Sequence, residues 1–124
     1  MKNVQEEINK IMVGDFSDND LVDYLNSPLV LVKTNAMIAM LKKSNIDKKS
    51  IDKLIDISQN IQREPKVIGE WTTGHYAMAV LKLLGTKIAD NAYHDNIKKM
   101  DMYTRDNIES LIKQIVDTNF CDNS

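Results

Sequence analysis

His75 and His94 are the only histidines in the chain, and each stands near a carboxylate. Glu70 and His75 flank one irregular segment. Asp90 and His94 are four residues apart, a spacing that places both on one helix face. A histidine beside a carboxylate can do general acid–base chemistry, but only with hydrogen-bonding proximity and a shifted pKa. The sequence supplies neither, so structural or surface roles are expected and no catalytic residue is assigned. A metal site would need further ligands at recognised spacings, so neither metal nor cofactor is expected. Gly69, Gly74 and Gly85 lack the spacing, the Lys-Ser/Thr ending and the preceding strand of a phosphate loop. Asp15, Asp18, Asp20 and Asp23 resemble a calcium loop only superficially, because its glycine and terminal glutamate are out of register.

The four aspartates have two other uses. They can solubilise a short helix and cap its positive end. They can also engage a basic partner, such as a nuclease toxin, by charge complementarity. Trp71, the only tryptophan, is a residue type found at interface hot spots. It is also buried on average, and burial against a following helix is the expectation. Asp15, Asp18, Asp20, Asp23 and Trp71 therefore form the candidate protein-binding set. Met37, Met40, Met78, Met100 and Met102 read as adaptable packing.

Composition narrows the class. The chain has 124 residues, a formal charge of -2, four glycines and two prolines. That length is one domain able to bury a core without staples. Leu, Ile, Met, Lys, Asp and Asn dominate, which favours an all-α domain. The lysine pairs at 42–43, 48–49 and 98–99 each have acidic residues nearby, so a basic nucleic-acid stripe is not expected. Cys121 is the only cysteine and excludes an internal disulfide. No apolar stretch resembles a signal peptide or reaches membrane-spanning length, and a cytoplasmic, membrane-free protein is expected.

Apolar spacing predicts seven helices. The first covers about 2–13, with Val4, Ile8 and Ile11 on one face. Ser17, with Asp20 three residues later, caps a short second helix. Ser27 caps a third, with Pro28 at its first position, running to about Lys43. Ser44 and Asn45 break the chain before a fourth helix from Asp47, which Pro65 stops. Residues 66–74 are irregular. Thr72 or Thr73 caps a fifth helix ending at Gly85, a sixth covers about 87–100, and Thr104 caps a seventh.

One similarity organises these elements. Thr34-Asn35-Ala36-Met37-Ile38-Ala39-Met40-Leu41-Lys42 aligns with Gly74-His75-Tyr76-Ala77-Met78-Ala79-Val80-Leu81-Lys82, forty residues on. A period near forty is what stacked helical hairpins produce. Leu25 to Leu41 resembles a HEAT-like unit. A short helix ends, a Pro-containing turn follows, and Val32-Lys33, Ala36, Ala39 and Met40 take the positions of that family's Val-Arg-x-x-Ala-x-x-Ala-Leu pattern. The resemblance implies a short right-handed stack of antiparallel hairpins. Units are expected around 17–62 and 66–100, with a capping helix around 104–118. It also implies a non-enzymatic protein-binding module of the kind found among small bacterial immunity proteins, which neutralise a toxin. A scaffold or regulatory protein without a toxin partner is the alternative, and a small enzyme using Glu70/His75 or Asp90/His94 is another.

Overall fold

The computed structural model describes residues 3–43 and 45–119. The expected break at Ser44 and the thiol of Cys121 lie outside them. Within the described residues the order is α1 (Val4–Met12), α2 (Asp18–Leu25), α3 (Val30–Met40), α4 (Lys48–Ser58), β1 (Lys66–Ile68), β2 (Trp71–Thr72), α5 (Thr73–Leu84), α6 (Lys87–Ile97) and α7 (Met102–Asn119). The protein is predominantly helical, with seven helices among the described residues.

The irregular segment expected at 66–74 is instead a small antiparallel hairpin, pairing Lys66 with Thr72 and Ile68 with Trp71. The physical reason is local. α4 ends at Ser58, ahead of the stop expected at Pro65, and turns follow it; Val67, Ile68, Trp71 and Thr72 then suit a pleated surface, and Gly69 turns the chain at φ 54°.

Helix caps account for most of the boundaries. Ser17 and Asp20 form a reciprocal capping box on α2. Thr86 accepts the Ala89 N–H at the start of α6. Two expected caps move. Ser27 accepts the Leu29 N–H at 3.1 Å, so it builds the turn around Pro28, and α3 starts two residues beyond that proline from an uncapped Leu29. At the start of α7 it is Asp101 that accepts the Thr104 N–H, at 2.8 Å, so Thr104 lies inside the first turn.

The helices form two layers. α1, α3, α5 and α7 are neighbours in that order, and α2, α4 and α6 line up beside them. α2 lies on α3, while α4 and α6 both lie on α5. The low polarity of α3 and α5 follows from this position. Met37 and Met40 on α3 and Met78, Val80 and Leu81 on α5 are fully buried, together with Leu21, Leu25, Leu54 and Ile108. The matched alanines sit in adjacent helices of one layer but meet different neighbours. Ala39 packs with Ile8 and Ile11 of α1, and Ala79 with Leu111 and Ile115 of α7.

α5 is the helix around which the others assemble, and its first turn closely approaches the turn that follows α4. A Cβ added at Gly74 would lie 2.5 Å from the Ile61 Cα. Backbone cannot yield as a flexible side chain can, so Gly74→Ala is expected to cost roughly 1–3 kcal/mol by overpacking. This outweighs any gain in helix propensity. Denaturant unfolding checks it: a lowered midpoint with unchanged slope is expected, and an unchanged midpoint would mean that α5 does not need this approach.

Candidate functional site

Two surfaces carry concentrated chemistry. The first is built by the start of α5. Helix N-termini leave N–H groups without partners, and here they are buried, so side chains must supply acceptors. The Thr72 hydroxyl accepts the N–H groups of Gly74 and His75 at 3.1 and 3.3 Å, and donates to the Ile61 carbonyl at 2.9 Å. His75 Nδ1 closes the box by accepting the Thr72 N–H at 3.0 Å. The Thr73 N–H donates to the Pro65 carbonyl, and its hydroxyl donates to Glu64. Glu64 also pairs with Lys33 of α3 at 2.7 Å, both side chains being mostly buried.

This cap forms one wall of a cleft of about 290 Å³, which Glu64, Lys66, Glu70, His75, Asp101 and Tyr103 also line. It adjoins a second hollow, bordered by Asn96 and Lys99, through the shared residues Gln62, Asp101 and Thr104. The cleft brings Glu70 and His75 to one place, but the tautomer of His75 limits what they can do. The Thr72 N–H is a fixed donor and requires Nδ1 to be unprotonated. The Thr72 hydroxyl also lies 3.0 Å from Nδ1, and its own proton can serve either Nδ1 or the Ile61 carbonyl. The neutral ring therefore carries its proton on Nε2 and offers the cleft a donor. A general base or metal ligand at Nε2 would need a lone pair there, which this cap withholds. Burial lowers the His75 pKa below its ordinary 6.5, and the negative charge of Glu70 opposes that shift.

The second surface is the corner where α1 meets α2. Tyr24 of α2 is half-buried. Its phenol pKa is pushed above 10.0 first by burial and then by the negative fields of Asp20, Glu7, Asp15 and Asp23. Three of the four predicted aspartates therefore act on one hydroxyl through their charge, as does Glu7 from α1. Asp18 is turned aside and pairs with Lys43 at 3.0 Å. Phe16 meets Tyr24 edge-on at 6.2 Å, and the Lys43 ammonium lies 5.0 Å from the centre of the Phe16 ring. On its other side Phe16 lines a groove of about 370 Å³ between α1 and α3, with Met12, Val13, Ile38 and Lys42. Met12 and Val13 are 66% and 78% exposed, leaving large apolar surface at the groove's edge.

Trp71 stands elsewhere. It is half-buried against Ala79, Leu111 and Ile115, and its indole N–H donates to the Asn107 carbonyl of α7 at 3.0 Å. It pins the hairpin to α7, whereas the aspartate-bearing α2 lies against α3 and α4. His94 is exposed, with its ring edge-on to Tyr93, and no hydrogen bond or ion pair joins it to Asp90 among the described residues. The sequence reading missed Glu7, Glu64 and Asp101. The short Gly14–Ser17 turn was the available signal for Glu7, because it keeps α1 close to α2. Among the described residues no helix is long and apolar enough to cross a membrane, and no group of three or more potential ligands could hold a metal ion.

Comparison of the chain with protein-family models, with curated proteins and with solved structures finds no match.

The sign of the His75 effect follows from its lowered pKa. Below pH 6.5 the unfolded chain binds a proton there that the folded chain resists. Stability is then fully present above that value and falls as pH drops through it toward the folded pKa. Glu64, Glu70 and Asp101 face the same cleft, and the hydrogen bonds from Thr104 hold the Asp101 carboxyl below its ordinary range. His75→Gln, which keeps a capping-box side chain, should remove the His75 contribution while holding stability near pH 7 within about 1 kcal/mol. Chemical unfolding of both proteins between pH 5 and pH 7.5 checks it. Parallel curves would remove His75 as the source.

Proposed function

We propose that the chain is a short HEAT-like array that acts as a protein-binding module, using the α1–α2 corner as its contact surface. The observation that carries this reading is the convergence of Glu7, Asp15, Asp20 and Asp23 on Tyr24, next to the apolar groove walled by Phe16. Stacked helical layers suit such a role, because they present broad surfaces on a rigid frame. The two alignments within the layers, α1–α3–α5–α7 and α2–α4–α6, support the array, as does the alanine match at positions 39 and 79.

The surface fits a basic, amphipathic segment of another protein. Carboxylates on the Tyr24 side attract its cations and steer encounter, while an apolar side chain enters beside Met12 and Phe16. Lys42 at the groove's far rim repels those same cations and sets the direction in which the segment lies. Lys43 does not, because Asp18 neutralises it. A scaffold or regulatory role requires only this surface. It stands ahead of toxin neutralisation, which requires a particular partner, and ahead of an acid–base enzyme, which the His75 tautomer disfavours. The Trp71 half of the expected interface is not part of the proposed surface, since its indole already serves the hairpin.

The test uses a variant that spares the α2 cap. Asp20 holds the Ser17 N–H, so it is kept, and Glu7→Gln, Asp15→Asn and Asp23→Asn are combined. Wild type and variant are each used to recover partners from the native cell, and association with any stoichiometric partner is then measured against salt. The variant should keep its fold, bind roughly tenfold more slowly at low salt and lose most of the salt dependence. Equal rates with equal salt slopes would exclude this corner.

A further inference from the structure

The capping box at the start of α5 cannot survive the addition of one proton. The Thr72 N–H is a fixed donor, and its acceptor is His75 Nδ1 at 3.0 Å. An imidazolium carries protons on both ring nitrogens and accepts nothing. Protonation of the ring therefore sets two donors face to face and leaves the Thr72 N–H without its acceptor. Thr72 is 7% exposed and His75 6%, so water cannot replace the lost bond while this corner stays shut. The charge itself is desolvated there, and burial lowers the His75 pKa below 6.5. The charged groups around the ring come from several elements. Glu64, Lys66 and Glu70 line the cleft on the hairpin side, and Asp101 and Tyr103 line it at the start of α7. Lys33 of α3 joins them through its ion pair with Glu64, and Lys99 after α6 borders the adjoining hollow. Glu70 is the group whose charge favours a proton on His75.

We propose that the Thr72–His75 box is an acid-operated latch. On taking a second proton the ring leaves Thr72 and turns toward Glu70, and the hairpin and the first turn of α5 open while the two helical layers stay folded. The layers can outlast the corner because the central apolar cluster includes Ile61 and Ala77 but no residue from 62–75. Polar ties hold the corner instead. The Thr72 hydroxyl donates to the Ile61 carbonyl, the Thr73 N–H to the Pro65 carbonyl and the Trp71 indole to the Asn107 carbonyl. A segment tied in this way opens at less cost than the whole domain. Opening admits water to the N–H groups of Thr72, Gly74 and His75 and uncovers the Ile61 backbone beneath Gly74. The closed ring binds its second proton more weakly than the open one, so falling pH favours opening.

Amide hydrogen exchange of the full-length chain reads the latch directly. It is followed by NMR between pH 5.5 and pH 7.5 and corrected for the intrinsic rate. From the top to the bottom of this range the opening equilibrium at Thr72, Gly74 and His75 should grow by roughly threefold to tenfold, as uptake of one proton on opening implies. The amides of Met40 and Leu111 should keep their protection, and the midpoint should coincide with that of the His75 imidazole signals. His75→Gln caps without titrating and should hold protection flat across the range. Glu70→Gln removes the charge that favours the imidazolium and should move the opening to lower pH. Exchange at Thr72 that ignores pH in the wild type would overturn the proposal. So would an equal response in His75→Gln, which would assign it to the carboxylates. Loss of protection at Thr72, Met40 and Leu111 together would replace the latch with global unfolding. An unchanged midpoint in Glu70→Gln would overturn the turn of the ring toward Glu70.

Discussion

The start of α5 imposes the constraint on which the rest of this fold depends. That helix touches α3, α4, α6 and α7, so its first turn begins inside the protein, where water cannot serve its orphan N–H groups. Thr72 and His75 satisfy that demand between them. The Thr72 hydroxyl accepts from two N–H groups and donates to Ile61, and the imidazole returns the bond to the Thr72 N–H. The absence of a side chain at Gly74 lets the helix reach Ile61 at all. Loss of any of these would leave a buried polar group unmet or push α5 away from α4. Either cost is comparable to a large share of a small domain's stability.

One candidate surface follows from meeting that constraint, and the other from the end of the helix row. Capping α5 with an imidazole fixes the ring's tautomer and turns an N–H toward the cleft. The hairpin that carries Thr72 must also be held in place, and Trp71 does this by bonding to the Asn107 carbonyl and covering Ala79 and Leu111. The aromatic that most resembles an interface anchor is therefore committed to the frame. At the other end of the layer, α1 is an end helix with one neighbour in its row, α3. Its last turn leaves Met12 and Val13 bare, and the turn that follows carries Asp15 toward the carboxylates of α2. The proposed contact surface lies where this row of helices stops.

What was legible in the residues was mostly local. The Ser17–Asp20 box and the Thr72 cap depend on neighbours in sequence, and their residue types declare them, whereas α4 stops at Ser58 and not at the expected Pro65. The period linking Ala39 to Ala79 placed α3 and α5 in equivalent roles, and the two are adjacent in one layer. It could not tell that one alanine meets α1 and the other α7, because that depends on which helix ends each side of the row. For His75 the residues left capping open among other structural or surface roles, because the reciprocal box is usually read from Glu or Gln at that position. The hairpin was hidden by its brevity: three and two residues are too few to show a period of two. Asp15, Asp20 and Asp23 were legible as a group through their spacing, whereas Glu7 joins them only through the tertiary placement of α1.

The central claim is that a neutral His75, protonated on Nε2, closes the N-terminus of α5. Long-range proton–nitrogen NMR of the imidazole tests it most directly, since the two ring nitrogens of a neutral histidine resonate far apart according to which one carries the proton. The account predicts a bare Nδ1 and a protonated Nε2 in the neutral ring, with the folded ring taking up its second proton below pH 6.5. A proton on Nδ1, or an ordinary titration near pH 6.5 with the fold intact, would contradict it.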